Sequence, residues 1–260
     1  TYPDRRGIPV SKAKSGCQVE KDEKFWVADT LMTVYRHPQR VPLFTRLLSM
    51  VYGNNPQFQG IDSWDECLSG DLHLFFEPNL PSPPSYKQWL GRHIDERQPV
   101  AYVRYSALKP HSHSVRANLE GATNVDAMLV NSDNGFSILF EAKVLSDASY
   151  QISFDALRNQ IARNVDVMLE QNRDLVFPLN RRRADRSLFA ILTPNVFREN
   201  PHSRLFGWLM NEYRADAMAL ARDLPHRAGT DFGDVQKRLG WLTWEDFRAH
   251  VPDCCPWLEP

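Results

Sequence analysis

Two short apolar runs, Ala127–Val130 and Phe136–Phe140, stand on either side of Ser132-Asp133-Asn134-Gly135, and no other feature constrains the chain as strongly. Asn-Gly is the preferred dipeptide of tight hairpin turns because both residues tolerate positive φ, so the flanking runs read as antiparallel strands. The charged residues lie at the ends remote from the turn: Asp126 opens the first run, and Glu141 and Lys143 close the second. Residues two apart on a strand share a face, so Glu141 and Lys143 project together. A hairpin centred on Asn134-Gly135 folds Asp126 back beside them. Asp126 lies further from that centre than Glu141, an offset that a bulge or extra twist takes up. The surrounding residues are apolar, and charge at the rim of a core is costly unless something compensates it.

Elsewhere the spacing of apolar residues predicts helices at 22–36, 41–53 and 85–98, with a proline cluster at Glu77–Tyr86 that forbids helix interior and central strand. After Pro99 the pattern changes. Residues 100–108 read as a strand, residues 152–171 as a helix with Phe154, Leu157, Ile161, Val165 and Met168 on one stripe, residues 186–194 as a strand ending at a proline, and residues 203–224 as one long helix. Helices followed by β-β-α-β-α predict an α/β fold. Residues 1–98 form a mainly helical region and 99–260 an α/β core with C-terminal helices, the two packed as one compact unit.

Composition narrows the function classes. With 260 residues, 42% of them hydrophobic, the chain can bury a large core. Its formal charge of −1 supplies no global basic field, so a polyanion has to be held by a local patch or through cations. No apolar run is long enough to span a membrane and the opening residues lack the core of a secretory signal, which makes the cytoplasm the expected compartment. The four cysteines show no CxxC spacing, and His111 and His113 lack a third partner nearby, so structural zinc is not expected.

A divalent cation would compensate the hairpin's charges. Two carboxylates are hard oxygen ligands suited to Mg²⁺, and the backbone carbonyl of Ala142 offers a third oxygen. Lys143, beside them, would orient or help deprotonate a water attacking phosphorus. The arrangement of Asp126 followed by Glu141-Ala142-Lys143, on a hairpin succeeded by an amphipathic helix and a further strand, resembles the PD-(D/E)xK nuclease superfamily over roughly residues 120–194. "NVD" stands where that family has Pro-Asp.

The resemblance implies a restriction-endonuclease-like mixed sheet flanked by helices, with a helical N-terminal extension. It implies Mg²⁺ as cofactor, Asp126 and Glu141 as metal ligands with the Ala142 carbonyl, and Lys143 as the catalytic lysine. It further suggests that Glu120 completes the metal site and that Gln160, with Arg163 and Asn164 beside it, reaches the active site or the scissile phosphate. Arg181, Arg182 and Arg183, in the densest basic stretch of the chain, are expected to grip DNA phosphates. The expected activity is endonucleolytic cleavage of DNA, in its most specific form that of a type II restriction endonuclease acting as a homodimer, with no membrane partner. A nuclease-like fold kept for DNA binding, or a repair, transposition or defence nuclease needing a partner protein, are the alternatives.

Overall fold

The computed structural model describes residues 22–97, 120–148 and 158–258. The expected strand at 100–108, His111 and His113, and Phe154 and Leu157 of the helical stripe lie outside the described residues.

Helix α1 (Glu23–Arg36) begins at Asp22, whose side chain accepts the Lys24 amide at 3.1 Å, and α2 (Arg40–Tyr52) stops at Gly53. Short α3 (Trp64–Leu68), capped by Ser63, leads into β1 (Leu72–Phe76). Strand β2 (Asn79–Leu80) is followed by α4 (Pro84–Arg92), which begins with a proline where no amide donor is needed, and by α5 (Ile94–Arg97). Strands β3 (Thr123–Asn124), β4 (Ala127–Asn131) and β5 (Ser137–Ala142) come next, then α6 (Gln160–Met168), capped by the Asn159 side chain, and β6 (Ser187–Thr193). The chain continues through α7 (Asn195–Glu199), α8 (Leu205–Ala215), α9 (Ala217–Asp223), α10 (Phe232–Lys237), β7 (Leu239–Thr243) and α11 (Trp244–His250).

The architecture is mixed α/β. Five strands run in the order β1-β4-β5-β6-β7, antiparallel from β1 to β5 and parallel from β5 to β7, and β2 pairs with β3 apart from them. Every residue of β4 to β7 is buried, so both faces of the sheet are covered. Alternation divides the strands between two cores. Ala127, Leu129, Ile138 and Phe140 join α1, α2, α3 and α11 in one, while Met128, Val130 and Leu139 join α6, α8, α9 and α10 in the other. Among the described residues no helix is long and apolar enough to cross a membrane.

Four features go beyond the sequence expectations or differ from them. The first third is mainly helical, and it also supplies a strand that was not expected, "LHLFF" at Leu72–Phe76, which forms the edge of the main sheet, while α1 and α2 pack into the same core. The helix expected over 203–224 breaks at Asp216, which is extended and whose side chain caps the Met218 amide at 2.8 Å; such local bonding competes with helix continuation. A final strand, β7, was not anticipated. The hairpin turn is also wider than Asn134-Gly135, spanning Asn131 to Phe136, with the Asn131 amide donating to the Phe136 carbonyl. Its centre therefore falls nearer Asp133-Asn134, and the offset attributed to a bulge disappears.

Candidate active site

Ala127 lies opposite Phe140 in the β4–β5 ladder, so Asp126, one residue earlier, comes opposite Glu141. By alternation both side chains sit on the sheet face that carries α6. The pairing is fastened by the Ala142 amide, which donates to Asp126 Oδ2 at 2.7 Å. The Lys143 amide donates the other way, to Leu192 of β6. Amide and carbonyl of one strand residue point to the same side, so the Ala142 carbonyl faces Asp126, beyond the end of β4.

Glu141 is the hub. Its Oε1 accepts from Lys143 Nζ at 2.7 Å and from Gln160 Nε2 at 2.6 Å, and its Oε2 accepts from Asn164 Nδ2 at 2.7 Å. Gln160 and Asn164 are four apart on α6, hence on one face one turn apart, and the apolar stripe of Ile161, Val165 and Met168 sets that face against the sheet. Glu141 and Lys143 are 1% and 5% exposed. The sequence reading placed Asp126, Glu141, Lys143, Gln160 and Asn164 together, and the structure brings these five side chains to one end of the sheet.

The electrostatics follow from crowding acids at low exposure. Burial, then the charge of Glu141, pushes the Asp126 carboxyl up to about 7. Burial acts to lower the Lys143 ammonium, but the charge and hydrogen bond of Glu141 outweigh it and the net shift is upward. Lys143 is therefore a firm cation at neutral pH and Asp126 is poised to gain or lose a proton.

The donor set can be tested against Mg²⁺. Asp126, Glu141 and the Ala142 carbonyl are all hard oxygen donors. Three N–H donors occupy only part of the four or so lone-pair positions of Glu141. Among the described residues no three His, Cys, Asp or Glu side chains converge as a ready-made cage. Two carboxylates and one carbonyl suit a small ion that keeps several waters, and a raised carboxyl beside a second acid is what a cation relieves, so the residues fit the ion.

Glu120 is placed differently from its expected role. Its Oε1 accepts from Arg163 Nε at 2.9 Å, its Oε2 lies 3.6 Å from Arg158, and it is 1% exposed. Two guanidinium groups face it, although burial outweighs them and holds its carboxyl above the usual range, so its partners are arginines rather than Asp126 and Glu141. Arg163 is half-buried and pairs with Glu120 through its Nε. Behind them Arg158, fully buried, pairs with Asp166 at 2.9 Å and lies 3.7 Å from the centre of the Tyr86 ring. Asp166 also takes His226 and Arg227. This buried network locks α4, α6 and the segment after α9 together.

The basic stretch divides as well. Arg182 is 1% exposed and donates to the carbonyls of Val167, Met168 and Glu170 and to Ser187 Oγ, closing the C-terminus of α6. A guanidinium used in this way does not reach DNA. Arg181 and Arg183 are exposed, but they stand at the hairpin turn, the opposite end of the sheet from Asp126 and Glu141.

Glu23 is the residue that sequence reasoning missed. From the first turn of α1 its Oε1 accepts the Val144 amide at 3.0 Å and the Ser146 hydroxyl, and its charge raises both Asp126 and Lys143. An acid in the first helical turn is commonplace, so only the fold could mark this one. Compared with protein-family models, with curated proteins and with solved structures, the chain matches none.

Proposed function

We propose that the chain is a Mg²⁺-dependent endonuclease of the PD-(D/E)xK kind that hydrolyses DNA phosphodiester bonds. In its most specific form it is a type II restriction endonuclease with a restriction-endonuclease-like fold. The observation that carries this reading is the meeting of Asp126 and Glu141 across the hairpin with Lys143 bonded to Glu141. A homodimer is the simplest way to cut both strands, because a twofold axis supplies two equivalent sites.

When bound, Mg²⁺ would supply Lewis-acid polarisation of the scissile phosphate and acidify the attacking water. Asp126, Glu141 and the Ala142 carbonyl would hold it. Gln160 and Asn164 fix the rotamer of Glu141, so that carboxylate needs no rearrangement when the ion arrives. Lys143, kept protonated by Glu141, serves as a donor that orients the water or neutralises charge growing on the phosphoryl oxygens, rather than as a base. Asp126 must lose its proton before it can bind a cation, so protons and Mg²⁺ compete there and cleavage at lower pH should need more Mg²⁺.

Incubation of the purified protein with plasmid DNA and Mg²⁺ tests the proposal. Discrete bands support a restriction enzyme and a smear a less specific nuclease, while Ca²⁺, which positions water poorly, should support binding without cutting. Mg²⁺-dependent cleavage that persists in Asp126→Asn would come from elsewhere and would sink the assignment. Binding with no cleavage in any divalent metal would leave a DNA-binding fold.

A further inference from the structure

The far end of the hairpin gathers positive charge without using it. Three arginines are fastened to the turn between β4 and β5. The Arg183 amide donates to the Gly135 carbonyl at 2.9 Å, Arg186 bridges the carbonyls of Asn134 at 2.7 Å and Gln59 at 3.0 Å, and Arg181 Nε leans toward the Ser132 carbonyl at 3.4 Å. Gly135 has φ of +77°, and a Cβ there would stand 2.7 Å from Arg183 Cγ and 2.9 Å from its Cδ. The turn therefore requires glycine for its backbone and for the arginine stem laid across it.

The balance of charge decides what this end can hold. Arg183 is paired with Asp185 at 2.5 Å. Among the described residues neither Arg181 nor Arg186 has a carboxylate within ion-pair distance, and the remaining acid on the wall, Asp133, accepts the Asp71 amide at 2.9 Å. Backbone carbonyls hold the Arg181 and Arg186 side chains and leave their charges standing, whereas the Arg183 guanidinium is gripped through two N–H groups by Asp185. Around them lie two adjoining hollows of about 290 and 550 Å³, both lined by Asn180, Arg181 and Arg183, with Arg186 on the first and Arg173 on the second. Among the described residues Arg181 engages only its Nε, at 3.4 Å, so its two Nη groups match the oxygens of a phosphate, which can accept two N–H donors at once, with the charges of Arg183 and Arg186 beside them. Asp126 is roughly 20 Å away along the hairpin, at about 3.3 Å per residue, so one phosphate cannot occupy both ends.

We propose that the turn-end hollow around Arg181, Arg183 and Arg186 is a phosphate-binding site separate from the Asp126–Glu141–Lys143 centre. The phosphate belongs either to a nucleic acid strand or to a free phosphoanion, and the hollow's chemistry is the same for both. The proposal does not depend on cleavage. It is measured without divalent metal, so its failure and that of the nuclease reading are separate events.

Isothermal titration with inorganic pyrophosphate tests it on the wild type, on Arg181→Gln/Arg183→Gln and on Asp126→Asn. Both altered arginines are exposed, so the double variant keeps the fold, checked by its unfolding temperature. The expected result is binding by the wild type and by Asp126→Asn, with at least about ten-fold loss in the arginine variant. Titration of a short DNA duplex then identifies the source. A salt slope lowered by about 2 in the arginine variant assigns the site to a nucleic acid strand. An unchanged slope, with pyrophosphate binding still lost, assigns it to a small phosphoanion. Wild-type protein that binds pyrophosphate no better than the arginine variant overturns the proposal.

Discussion

Replacing Asp126 by asparagine should separate stability from chemistry, because in the metal-free protein this carboxylate works against the fold. Asparagine keeps the shape, and its side-chain oxygen can still accept the Ala142 amide. What it removes is the charge that burial and Glu141 disfavour. Burial and Glu141 push the folded carboxyl up to about 7 from the 3.8 of an exposed aspartate, so the folded state holds the proton more tightly than the unfolded one. Stability from this group is therefore fully present below the unfolded pKa and is lost as pH rises through the folded one. Between about pH 5.5 and pH 8.5 the loss amounts to at most ~2 kcal/mol at about 1.36 kcal/mol per unit, and nearer ~1 once solvent screening at this half-buried position is allowed for. At roughly 2–4 °C per kcal/mol, the wild type should lose several degrees relative to Asp126→Asn over that range, with chelator present. Thermal unfolding by circular dichroism at both pH values measures it. Added Mg²⁺ should raise the wild-type midpoint at the higher pH and leave the variant unmoved. Parallel pH profiles for the two proteins would refute the argument that Asp126 is electrostatically strained.

The other predictions concern groups whose roles the structure separates. Lys143→Ala should slow plasmid cleavage by at least ~10²-fold at saturating DNA, the scale of a positioned proton donor, while affinity in Ca²⁺ changes far less; a gel assay beside anisotropy checks both. Arg182→Ala should cost about 2–4 kcal/mol in urea unfolding because it leaves the carbonyls ending α6 without their buried donor, whereas Arg181→Ala should stay within about 0.5 kcal/mol. Arg158→Ala should cost about 3–5 kcal/mol by the same measurement, since it removes one cation that faces both Asp166 and Glu120 and leaves a cavity against Tyr86.

The centre was legible because its information is local. A turn signal and a period of two suffice to put Asp126, Glu141 and Lys143 on one face, and a period of 3.6 adds Gln160 and Asn164. The misplaced residues are those whose fate depends on distant segments. Glu23 reaches the site only because α1 packs across the sheet end. Arg181, Arg182 and Arg183 look alike in sequence, yet the short 3₁₀ turn at Leu179–Arg181 and the strand that follows aim the middle one into the interior, beneath α6. Glu120 carries the same charge as a metal ligand would, and only the fold shows that its neighbours are the two arginines Arg158 and Arg163. Strand β1 escaped notice because its partner, β4, lies beyond the proline cluster.

Strand β5 is where the two kinds of strand pairing meet, and this imposes an order of events on the nascent fold. On one side Glu141 meets Asp126 through a turn of a few residues, a loop that closes at small entropic cost. On the other, β6 arrives only after the crossover of residues 143–186, which also delivers Gln160 and Asn164. Non-local pairings of this kind form late. By this ordering the two acids meet before the α6 donors that steady Glu141 are in place, while Lys143, two residues along the same strand, is already beside them. The lysine of the proposed chemistry is then also a counter-charge that the hairpin carries within itself.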